Sequence, residues 1–272
     1  MQARQQQVKP LVSSSGAPGW SSMSTAGPGL PHVLKAWGLA LAAPAQGSVS
    51  ERLAQSLSWL DAVALAEVLN GAPAGPTQDA PARLQATRTW AHTALQRLLA
   101  ELQAGFADPV LVREGPTSPS SLRRPPARAA AAPKPAGALD AVAPYRLHHS
   151  TQQRSLAIRV TTLRGQLRSQ LTQTTPRLAR LAALDAVFER ALNAREEQAL
   201  AGLPSMTAQR GISLRAADPN PDPDDRSTWP APGWRGQLWG ELQRVLQAEL
   251  ALRLQPVLGL IEALHDDEEH TN

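Results

Sequence analysis

Leucine and its apolar relatives recur every third or fourth residue over most of this chain, and that period leaves few folds open. Leu156, Val160, Leu163, Leu167 and Leu171 are separated by 4, 3, 4 and 4 residues. Trp234, Leu238, Leu242, Val245 and Leu246 begin a second run that keeps helical spacing to Leu264. On a helix such residues form one stripe, whereas on a strand they would scatter over both faces. Composition agrees. Among 272 residues there are one Tyr and two Phe, while helix formers such as Ala, Leu, Arg, Gln and Glu dominate. The expected fold is all-α, a bundle of about five to seven helices. The absence of Cys excludes a disulfide scaffold, a thiolate metal site and a cysteine nucleophile.

Punctuation divides the chain. Residues 1–29, rich in Gln, Ser, Gly and Pro, are expected to be disordered. The N-terminal helices fall in 30–107. Leu30, Val33, Leu34 and Trp37 share one helical face. Ser48-Val49-Ser50-Glu51 reads as a capping box, opening one helix through Leu53, Leu57, Leu60, Ala64 and Val68 to Asn70-Gly71. A second helix carries Leu84, Ala91, Leu95, Leu98, Leu102 and Phe106. The short link between the two predicts an antiparallel αα-hairpin. Residues 108–144 hold Pro116, Pro119, Pro125, Pro126, Pro133, Pro135 and Pro144 with Arg123, Arg124, Arg128 and Lys134. That density of Pro predicts an extended basic tether.

The C-terminal helical region spans 145–264. Thr175-Pro176 predicts a fresh helix start, and a short helical piece is expected around Met206–Leu214. Asp218–Gly233 is a loop, and the last helix starts near Trp234 with Pro256 kinking or splitting it. Residues 265–272 form an acidic tail, expected to be frayed and solvated.

Charge is distributed unevenly. Residues 109–180 carry 12 Lys/Arg against 2 Asp/Glu, and residues 181–272 carry 8 against 15. Arg154, Arg159, Arg164 and Arg168 lie off the leucine stripe as a candidate anion-contact face. They could meet phosphates, or be balanced by the acidic third of the same chain.

Catalytic motifs are missing. None of the six His lies in a G-x-S-x-G elbow or an H-E-x-x-H pair, and no phosphate-cradling glycine loop occurs. His148 and His149 are adjacent on a helix and point about 100° apart, so they cannot easily share one metal; one of them is expected to cap or pack near Tyr145. Asp61, beside its seam, reads as a salt-bridge or solvent contact rather than a catalytic group. Four Asp between Asp218 and Asp225 lack the central Gly and distal Glu of a calcium loop, and Pro fills the alternate positions. No catalytic residue, cofactor or metal is expected. The window Leu30–Ala45 is too short and interrupted to span a membrane or to serve as an export signal.

The reading is a non-enzymatic helical interaction or accessory protein, with a protein partner or a second copy. Its candidate partner or core seam is Leu156, Val160, Leu163, Leu167, Leu171, Leu238, Leu242 and Val245. The alternative is a nucleic-acid-binding protein using the Arg-rich 109–180 region. A cytoplasmic location is expected.

Three stretches together, LSWLDAVALAEVLNG (Leu57–Gly71), YRLHH through TPRLARLAALDAVFERAL (Tyr145–Leu192) and LRLQPVLGLIEAL (Leu252–Leu264), resemble an uncharacterised proteobacterial family, domain of unknown function 3348. The family has no assigned activity, so no residue role carries over. Its genes often lie near those for proteins similar to proton-channel motor subunits and to peptidoglycan-binding OmpA-like proteins. The resemblance therefore implies an accessory role at the cell envelope, at the inner face of the membrane.

Overall fold

The computed structural model describes residues 29–38, 48–71, 80–110, 112, 138–220 and 232–269. The expected disordered N-terminus, most of the tether, the centre of the Asp/Pro loop and the last residues of the tail lie outside them. The described residues contain no strand. The helices are α1 (Leu30–Ala36), α2 (Val49–Ser56), α3 (Trp59–Asn70), α4 (Ala80–Ala107), α5 (Ala138–Leu171), α6 (Pro176–Leu200), α7 (Leu203–Ala217) and α8 (Trp234–Glu269).

Four rods make the core. Their directions follow from paired residues. α4 and α5 are antiparallel, since Arg159 meets Glu101 while a methyl on Gly105 would touch Gln152. α6 runs against α8, with Arg177 on Asp267 and Arg253 on Glu196. α7 continues in the same sense, with Arg210 on Glu241. The third rod is thus one path broken between α6 and α7, giving an up-down-up-down bundle. Leucine stripes of α4, α5 and α8 with Leu178 and Ala182 of α6 and Ala208 of α7 form one buried cluster. The longest described helix, α8, has 36 residues, about 54 Å.

All eight expected seam residues are buried in this molecule's own core. The seam therefore holds the four rods together, which is why the spacing is so regular.

Three local expectations are corrected. The helix expected over 48–70 is two helices. Leu57 is extended, and Ser58 caps α3 by a second capping box in which Ser58 and Asp61 exchange hydrogen bonds. The expected αα-hairpin with α4 gives way to a contact between α3 and α6, stapled by Arg180 to the Gly71 carbonyl, while Arg195 of α6 holds Ser56 and Gln55 of α2. The tail is not frayed at its start. α8 continues to Glu269, and Asp267 is buried, accepting from Thr175 and Arg177 at 2.8 and 3.0 Å.

The helix expected from Tyr145 begins at Ala138 and runs through Pro144, just as α8 runs through Pro256. The carbonyls these prolines deprive of a donor belong to Asp140 and Leu252, both exposed. Water can take the place of the missing amide there, so neither rod has to stop.

Candidate functional site

Two features stand apart from ordinary core packing: an uncovered helix and a buried polar network.

The uncovered helix is α3. Its sequence is apolar, yet it contains no buried residue. Trp59 is 78% and Leu60 73% exposed, with Val63 and Leu69 also open to solvent. Its inward side lies on α6, and Asp61 is 3.9 Å from Arg190. The attachment is peripheral: Asp61, Ala64, Leu65 and Val68 are half-buried and no residue of α3 is fully buried. The sequence spacing puts Leu57, Leu60, Ala64 and Val68 on one seam; in α3 the inward side is Asp61, Ala64, Leu65 and Val68, which leaves Leu60 outward.

The network sits at the level of the break between α6 and α7. A turn there frees the Leu200 carbonyl, and Gln153 Nε2 donates to it at 3.0 Å. The same amide lies 3.3 Å from Glu249 Oε2. Arg253 donates from Nε to Glu249 Oε1 at 3.0 Å and from Nη1 to Glu196 at 2.8 Å. His149 shares a hydrogen bond of 2.8 Å between Nδ1 and Thr207 Oγ1, and its Nε2 lies 3.8 Å from Glu249 Oε2. α1 covers the break, with Leu30, Val33 and Leu34 packing in one cluster with Leu200, Leu203, Val245 and Ala248. A buried charge needs a partner, and each charge here has one.

Thr207, His149 and Glu249 stand in the order hydroxyl, imidazole, carboxylate, but all three are buried. The 3.8 Å gap from His149 to Glu249 exceeds a hydrogen bond. An open groove of about 580 Å³ on the surface is elsewhere, lined by Gly165 and Ser169 of α5, by Thr172 just beyond it, and by Ala182, Ala183 and Ala186 of α6. The network acts as glue for the broken rod.

His148 points to the other side of α5. Its ring is tilted on Trp239, centroids 5.0 Å apart, and neither ring nitrogen has a hydrogen-bond partner. Burial pushes its pKa below the ordinary histidine value, against the pull of the Phe106 carbonyl and Asp108. Tyr145 packs on Trp234, and burial lifts its phenol to about 12. Among the described residues no group of three or more His, Cys, Asp or Glu could hold a metal ion.

The four candidate anion contacts separate. Arg164 grips Asp185 with two hydrogen bonds of 2.8 and 2.6 Å. Arg168 reaches Asp185 at 2.9 Å and Glu189 at 2.6 Å. Arg159 pairs with Glu101, and Arg154 is exposed. Carboxylates of α4 and α6 thus face much of the basic stripe.

The family described as protein of unknown function (DUF3348) matches residues 21–266. The chain belongs to that family. No curated protein and no solved structure matches it. For this DUF3348 chain the resemblance seen in three helical stretches therefore holds along the described bundle. Among its described residues no helix is long and apolar enough to cross a membrane.

Proposed function

We propose that this protein is a non-enzymatic helical interaction protein whose docking surface is the outward face of α3. One observation carries the reading. The leucine seam is consumed inside the bundle, while Trp59 and Leu60 stand in water on a helix that buries no residue fully. Large apolar side chains grouped on an otherwise polar surface mark partner sites. An accessory role at the inner face of the cell envelope rests on the family resemblance.

A photo-crosslinking residue at position 59, compared with one at exposed Ser213, tests this in the native cell. Specific adducts at 59 that vanish in a Leu60→Glu background are expected. Identical adduct patterns at the two positions would refute the reading. Nucleic-acid binding is the weaker alternative, because Arg159, Arg164 and Arg168 already face carboxylates. A gel shift that weakens steeply with salt would revive it.

A further inference from the structure

We propose that α1 is a detachable plug, and that the groove it fills is a second docking site, which takes a short amphipathic helix from a partner protein in its place.

The site is defined by the helix already seated in it. α1 has seven residues and turns one face inward: Leu30, Val33 and Leu34 are buried, and Trp37 is half-buried beside them. The floor is Leu200 and Leu203, from the two sides of the break in the third rod, with Val245 and Ala248 of α8. Aliphatic residues at i, i+3 and i+4 with an aromatic ring at i+7 are how a helix anchors in a groove. That pattern is the chemistry a partner helix must carry.

Three observations separate α1 from the bundle. Its apolar cluster is distinct from the main core, to which α1 contributes no residue. Among the described residues no hydrogen bond or ion pair ties it to another helix. Its amides bond within the helix and to the Gly29 carbonyl, and His32 and Lys35 are exposed. α2 and α3, by contrast, are tied to α6 through Arg195, Arg180 and Arg190. Finally, an isolated helix of fewer than about 12 residues is marginal in water, so α1 owes its helical form to the groove. Its release breaks apolar contacts alone and leaves the four rods with their own core. The vacated floor would then expose four apolar side chains that are now buried, which favours a replacement helix over an open groove. α3 lies on α6 and shares none of these residues, so the two docking surfaces are independent.

Methyl NMR on the full chain tests the site. The probe is a synthetic peptide of residues 29–38, stapled into a helix through the exposed positions 32 and 36. In Val33→Glu/Leu34→Glu, which cannot seat its own α1, the peptide should shift the Leu203 and Val245 methyls saturably. It should bind the wild type about tenfold more weakly or worse, since only the open fraction is competent. Wild-type amides of Val33–Trp37 should exchange at least about a hundredfold faster than those of Val245–Leu250, through an opening that leaves the rods folded. No saturable shift in the double variant, equal affinity in both chains, or α1 amides that exchange only with the whole bundle overturns the proposal. So does a doubling of mass with concentration that accompanies loss of the α1 contacts, because the occupant is then a second copy. Should the double variant fail to fold, the wild type decides. Excess peptide should move the Val33 and Leu34 methyls to their free positions, and methyls that stay in place refute the plug.

Discussion

Arg88 on α4 donates from Nε and Nη2 to the backbone carbonyl of Leu264, at 2.8 and 2.6 Å, and Nη2 also approaches the His265 carbonyl at 3.3 Å. A guanidinium from the start of one rod thus sits on the last turns of another. Those turns carry the partial negative charge of the helix end, and removing the guanidinium breaks its charge-assisted hydrogen bonds to that end. Arg88→Met should therefore cost about 1–3 kcal/mol in a denaturant melt, with helical content kept. Arg88→Lys should recover only part, since an ammonium cannot reproduce the fork.

Gly211 marks the closest approach of three helices. A methyl there would lie 2.7 Å from Leu238 Cδ2 and 2.8 Å from Val142 Cγ1, both buried. Gly211→Ala is expected to destabilise by about 1–3 kcal/mol through overpacking. Gly240→Ala, where nothing lies within 4 Å, should instead stabilise by about 0.5–1 kcal/mol through helix propensity. Thermal melts of both variants check the contrast, and equal shifts would contradict the packing described.

Acid should loosen α2 and α3 first. Hydrogen bonds from Ser58 hold the Asp61 carboxyl below its ordinary value, and those from Ser48 do the same for Glu51. Folding then favours the charged forms, so their contribution is complete above the unfolded carboxylate values and is lost as pH falls through the lowered ones. Exchange of the α3 amides measured down to about pH 3 should accelerate before that of α5. Asp61→Asn should show the fast exchange already at neutral pH.

Substitutions on the outer face of α3 should leave the fold alone. Trp59→Ala and Leu60→Glu remove exposed atoms only, so stability should change by no more than about 0.5 kcal/mol. Their effect belongs to partner capture. A large drop in melting temperature would mean that α3 is covered in the free protein.

Much of this architecture could be read from the residues. Every seam position from Leu156 to Val245 lies inside, because a period of three to four over thirty residues admits one burial face. The failures have physical causes. Leu57 and Leu60 keep helical spacing across a break, so periodicity cannot register it; the pattern Ser58-x-x-Asp61, the same signal as Ser48-x-x-Glu51, could have. Pairing α3 with its neighbour in sequence assumed short-range docking, whereas Arg180 and Arg190 draw it to α6. Glu249 and Arg253 fell on the apolar stripe of the last helix, the visible sign of a buried network, but which groups answer them depends on the break near Leu200. Asp267 was hidden among acidic neighbours, since composition does not distinguish one inward carboxylate from several outward ones.

The order of the rods has a consequence for biosynthesis. α8 touches α1, α4, α5, α6 and α7, yet it leaves the ribosome after all of them. Until it emerges, the leucines of the earlier rods have no lid. The nascent chain is then a natural client for holding chaperones, and closure of the bundle becomes a single late event.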